Sequence, residues 1–150
     1  SPARRVISLG PHLTEIVYAA GGGNALVGVI GYSDFPDAAR KLPIVGDAHA
    51  IDFERIAQLK PDLVLVWGEG YDFARIPAQA KIIFLNSYLA PENGHADVFL
   101  AVSIQTERAG HYTNFQGVVS EFEPCFPKGE SVLDAELLFK ALAAPARGHP

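Results

Sequence analysis

Four near-continuous apolar runs of strand length constrain this chain more than anything else: Val6–Leu9, Leu26–Ile30, Leu63–Trp67 and Lys81–Leu85. Each is bounded by Gly, Pro, Asp or Asn. Alternating runs mark a sheet with one wet face. Continuous ones mark strands covered on both faces, as in a parallel sheet between helix layers. Val98–Val102 is a weaker fifth candidate. Helical patterns fall between the runs. Leu13, Ile16, Val17 and Ala20 recur at helical spacing, with Gly21-Gly22-Gly23 as the stop. Asp52 is placed to cap a helix from Phe53 to Leu59, with Pro61 just past its end. The third crossover, Tyr71–Ala78, is short, and Pro77 limits it further. This alternation predicts right-handed crossovers and a three-layer α/β sandwich.

The stretch after Ser103 behaves differently. Tyr112 to Val119 reads as a hairpin bending at Asn114–Gly117, within a segment that has no helical period. Ser131 with Asp134 resembles a capping box, opening a stripe of Leu133, Leu137, Leu138, Ala141 and Leu142. Cys125 is the single cysteine, so it forms no internal disulfide and no cysteine-rich metal cage. Its expected place is a buried niche beside Phe122 and Phe126.

At 150 residues and 49% hydrophobic content, the chain is long and apolar enough for one core. A net charge of −5, without clustered Lys or Arg, argues against nucleic-acid binding. No apolar run reaches the roughly 18 residues of a membrane span, so no membrane partner is expected. With Ser-Pro at the start, no methionine and no signal peptide, a processed or trimmed product is expected and the compartment stays open. Phosphate loops and nucleophile elbows are missing. Neither an enzyme nor a resident cofactor is expected.

Residues 5–67 carry RVISLGPHLTEI, GVIGYSDFP, LPIVGD and FERIAQLKPDLVLVW in order. This set resembles the N-terminal lobe of periplasmic substrate-binding proteins for cobalamin, haem and ferric siderophores. The resemblance implies a ligand cleft between two lobes, with Tyr32 packing on a chelate and Glu54 docking the protein onto arginines of an ABC uptake transporter. By residue chemistry alone, Tyr32 and Phe35 equally cover a sheet edge, and Glu54 reads first as an ordinary first-turn acid favoured by the helix dipole. His12, His49 and Trp67 are further ligand-binding candidates at the cleft mouth, since chelated iron and cobalt accept imidazole. Two histidines 37 residues apart, with no close companions, make no protein-only metal site. The Gly46–Ala50 loop also lacks the aromatic ring that some relatives place there.

Residues 81–127 carry a strand, then Pro91-Glu92, His95-Ala96-Asp97-Val98-Phe99-Leu100, and Glu107, Gly110, Thr113, Asn114 and Gly117. This order resembles a segment of the molybdopterin oxidoreductase family, most closely the large peripheral subunit of respiratory NADH dehydrogenase. Ala101, His111 and Val118 depart from that pattern. The metal ligand and cluster cysteines of that family are absent, so no molybdenum enzyme is implied.

The two resemblances together predict a Rossmann-like α/β fold. It is a mostly parallel sheet of four to five strands with a β-hairpin insertion near 111–123. One domain, 1–150, would be assembled from two fragments, 1–68 and 71–150, joined at Gly68-Glu69-Gly70. A mid-sheet join favours deliberate recombination and a chimeric domain without evolved catalytic activity. Two alternatives stand beside it. One is a residual substrate-binding lobe for cobalamin, haem or a ferric siderophore. The other is a scaffold fragment of a respiratory-complex subunit acting through its hairpin. Open partners are a second copy of the chain, as a homodimer, and a weakly held small-molecule chelate.

Overall fold

The computed structural model describes residues 2–88, 91–104, 107 and 109–127. Its centre is a five-stranded parallel sheet of β1 (Val6–Leu9), β2 (Leu26–Val29), β3 (Leu63–Trp67), β4 (Lys81–Asn86) and β5 (Val98–Ala101). The spatial order is β2-β1-β3-β4-β5. The apolar runs read from the sequence match these strands to within a residue at their ends. Strands β3 and β4 pair over five positions, from Leu63 opposite Lys81 to Trp67 opposite Leu85. They form one continuous sheet across the segment where a join was expected.

Helices cover both faces. Helix α1 (Pro11–Ala19) starts with Pro at its first position, where a missing N–H costs nothing, and sets Leu13 against Leu85 and Val102. Helix α2 (Phe53–Gln58) is capped by Asp52, whose Oδ1 accepts from the Arg55 N–H at 2.9 Å. Its Ile56 is buried on the opposite face with Ile7, Leu9, Val64, Val66, Ile82 and Phe84. The crossover from β3 to β4 holds only a 3-10 turn, Phe73–Arg75, in keeping with its expected shortness. Phe73 nevertheless fills the core, edge-on to Phe84 at 5.2 Å.

Strand β5 is fastened to β4 by Asp97. Its carboxylate accepts from Lys81 Nζ at 2.7 Å and from the Ile82 N–H at 2.9 Å. Both bonds favour the charged form and hold its pKa below the usual carboxylate value. The predicted hairpin is present as β6 (Gly110–Thr113) and β7 (Val119–Phe122), an antiparallel pair. Asn114 Oδ1 accepts from the Gln116 and Val118 N–H groups and shapes the bend.

Cys125 departs from expectation. It is exposed, with Phe126 63% exposed and Phe122 only half-buried, because a two-stranded hairpin has no second layer to enclose them. The capping box at Ser131 and its leucine stripe lie outside the described residues.

Candidate functional site

The strand order fixes where a site can form. The connection after β1 leads outward to β2, whereas the chain after β3 continues the other way to β4. The carboxyl ends of β1 and β3 therefore flank a topological switch point, the crevice where open α/β sheets take ligands. A cavity of about 530 Å³ lies there, within the usual range for small-molecule pockets.

Three loops build it. After β1, Gly10 and Pro11 turn into α1 and place His12 at the wall. The loop after β2 brings Tyr32, whose backbone is left-handed at φ 65° and whose ring is 83% exposed. The loop after β3 carries Glu69, Tyr71, Asp72 and Arg75, with Trp67 at the strand's last position. A further turn, 46–51, adds Asp47 and His49. Gly46, at φ 139°, permits this turn, because a Cβ there would overlap the Ala50 carbonyl.

His12 meets Trp67 edge-to-face, with ring centroids 4.5 Å apart. His12 remains exposed overall, yet this packing desolvates part of the ring and lowers its pKa from the ordinary imidazole value, against the opposing pull of Glu15. Both the packing and the direction of this shift favour the neutral imidazole. Asp47 Oδ1 accepts from the His49 and Ala50 N–H groups at 2.8 and 3.0 Å, which lowers its own pKa. The Tyr71 hydroxyl donates to the Leu9 carbonyl at 3.2 Å, tying the β3 loop to the end of β1, and burial raises its pKa. Arg75 lies over the Phe53 ring at 4.3 Å. Glu69 accepts from the Tyr88 hydroxyl.

Tyr32, His12, His49 and Trp67 all line this one cavity. Glu54 does not; it is exposed in the first turn of α2. Asp47, Glu69, Tyr71, Asp72 and Arg75 were not singled out from the sequence. The signal that nominates most of them is their position after a strand end at the switch point. Among the described residues, no group of three His, Cys, Asp or Glu side chains is arranged to hold a metal ion. No helix among them is long and apolar enough to cross a membrane.

A family model described as periplasmic binding protein matches residues 6–87, more than half of the chain. The chain belongs to the periplasmic binding protein family. It is 53% identical over 70 residues to a vitamin B12-binding protein of Vibrio vulnificus, covering 47% of this chain and 26% of that protein. Among solved structures, it resembles the apo periplasmic heme-binding protein RhuT from Roseiflexus sp. RS-1, at TM-score 0.52 and 28% identity over 57% of this chain and 35% of that one. A periplasmic heme binding protein from Pseudomonas aeruginosa follows at TM-score 0.51 and 29% identity, over 57% and 32%. The chain thus spans about a quarter of the curated relative and a third of the solved structures. These relatives are binding proteins by name, not enzymes.

The periplasmic binding protein match also bears on the expected join. It runs from residue 6 to 87, across Gly68–Tyr71, and takes in all of β4. A chimera assembled at that point gains no support from it. Nor do these matches support the molybdopterin resemblance of residues 81–127.

Proposed function

We propose that this chain is a substrate-binding lobe whose cavity forms one wall of a site for a metal tetrapyrrole, cobalamin above haem. The observation that carries the reading is the convergence of Tyr32, His12, His49 and Trp67 on one cavity at the switch point. Aromatic faces suit a flat macrocycle, and a neutral imidazole suits its metal. The names of the relatives, which concern vitamin B12 and heme, point to the same class.

The charge of the wall supports the order of preference. Asp47, Glu69 and Asp72 line it against the single guanidinium of Arg75. Haem presents two carboxylates to such a wall, whereas the corrin periphery presents neutral amides. Carboxylates repel the first and accept hydrogen bonds from the second. Glu54, exposed beside the cavity-lining Phe53, is the proposed contact for a transporter of the ABC uptake class.

One wall of a cleft still incurs the entropic costs of binding while making part of the contacts, so a dissociation constant on the order of micromolar or weaker is expected. Equilibrium dialysis against cyanocobalamin and hemin, with Trp67 emission as a second readout, tests this. Saturable uptake of cyanocobalamin, weakened about tenfold by Tyr32→Ala, is the expected result. Absence of saturable uptake of either ligand overturns the proposal. Tighter hemin binding overturns the preference.

A further inference from the structure

We infer that the buried hydroxyls of Ser8, Thr14 and Ser33 form a clamp that holds Tyr32 over the cavity, with Thr14 as the positioning residue; the ligand consequence rests on the function proposed above. The three come from different elements: Ser8 from β1, Thr14 from α1 and Ser33 from the loop after β2. Ser8 and Thr14 are fully buried and Ser33 is 7% exposed. Thr14 Oγ1 lies 3.1 Å from Ser8 Oγ, 3.2 Å from Ser33 Oγ and 3.3 Å from the Gly10 carbonyl. Ser8 Oγ donates to that same carbonyl at 3.1 Å. A hydroxyl carries one proton and two acceptor sites, so Thr14 shares in three of these four contacts but donates in only one at a time.

Thr14 to Gly10 is an ordinary back-bond within one helical turn. The contact to Ser33, nineteen residues away, is different, because it reaches the neighbour of Tyr32. Among the described residues the Tyr32 ring makes no hydrogen bond or ring contact of its own. Its placement is therefore inherited from its backbone. That backbone sits at φ 65°, a conformation a bulky residue keeps only where the surroundings impose it. Three main-chain bonds enclose the same loop: Ile30 N–H to the Ser8 carbonyl, Gly31 N–H to Gly46 and Ser33 N–H to Ile30. The last is the longest, at 3.3 Å, and the Thr14–Ser33 contact lies beside it.

Thr14→Val keeps the shape and removes the hydroxyl; Thr14→Ser keeps the hydroxyl; Ser33→Ala releases the loop end from nearer the surface. Amide hydrogen exchange of Ser33 is compared with that of Val45, and cyanocobalamin dialysis is run on the same proteins. The expected result is roughly tenfold faster exchange at Ser33 and a similar loss of affinity in Thr14→Val and Ser33→Ala, with Val45 unchanged and both effects recovered in Thr14→Ser. Unchanged protection of the amide at position 33, corrected for intrinsic rate, in Ser33→Ala or Thr14→Val overturns the clamp. So does a Thr14→Ser protein as impaired as Thr14→Val, which would assign the role to packing. If the wild-type protein takes up no cyanocobalamin, the ligand reading fails and the exchange result still decides the clamp.

Discussion

On the α2 side of the sheet, Ile7, Leu9, Val64, Val66, Ile82 and Phe84 meet Val45, Ile56, Phe73 and Ile76, none more than 6% exposed. On the α1 side, Leu13, Leu85 and Val102 are buried, but Leu65, Trp67, Ile83 and Leu100 are only partly covered. Strand β3 carries the contrast within five residues: Val64 and Val66 are fully buried, and Leu63, Leu65 and Trp67, which alternate with them, are not. Among the described residues, the number of elements over each face differs. α2, the Phe73 turn and the chain around Val45 all press on one; among the described elements packed against the other is the nine-residue α1. One face holds the fold together. The other gives up some burial and keeps Trp67 available to the cavity.

The sharpest way to break this contrast is to cut a large apolar side chain from each face. Phe84→Ala removes a fully buried ring that touches both Phe73 and Phe99, and should cost about 3–5 kcal/mol. Leu65→Ala, on the partly covered face, should cost about 1–2 kcal/mol, since less area returns to water and the site relaxes more easily. Urea unfolding of the two variants measures both. Equal costs would mean that the α1 face is packed at least as tightly as the other, and the contrast would fall.

A smaller effect tests how the dense face is assembled. Asp52→Ala removes the oxygen that accepts the Arg55 N–H at the start of α2, and should cost about 1 kcal/mol by the same measurement. Asp52→Asn should recover most of it, because an amide oxygen accepts the same bond. A loss that Asn fails to recover would point to charge instead of capping.

Much of this was legible in the chain itself. Continuous apolar runs identified the strands, since buried parallel strands need apolar side chains on both faces. Asp52 was legible because capping is local. The difference between Leu65 and Val66 was not, because leucine and valine in an unbroken run carry no mark of which face has the thinner cover. Cys125 was misplaced for a related reason: aromatic neighbours in sequence suggest a core, but Phe122 and Phe126 belong to a hairpin of two strands. At the site, resemblance nominated Tyr32, His12, His49 and Trp67. Glu69, Tyr71, Asp72 and Arg75 escaped because they reach the cavity only through β1 lying beside β3. That adjacency joins residues some sixty positions apart, and no local pattern encodes it.

The finest test of the contrast is acidity, because it touches the thin face alone. His12 packs on Trp67 and is harder to protonate when folded than when unfolded. Between its lowered folded pKa and the ordinary 6.5, the unfolded chain therefore binds more protons, and stability rises with pH across that window. Above about 6.5 no proton is involved and the penalty is absent. Acidifying from pH 7.5 to 5.5 should lower the urea midpoint slightly, and His12→Phe should remove this drop while keeping an edge-to-face ring on Trp67. The depressed carboxylates Asp47 and Asp97 act in a separate window: their stabilisation holds above the ordinary value of 3.8 and is lost as pH falls through their folded values below it. A drop between pH 7.5 and 5.5 that survives in His12→Phe would place the titrating group elsewhere and remove His12 from the account of the thin face.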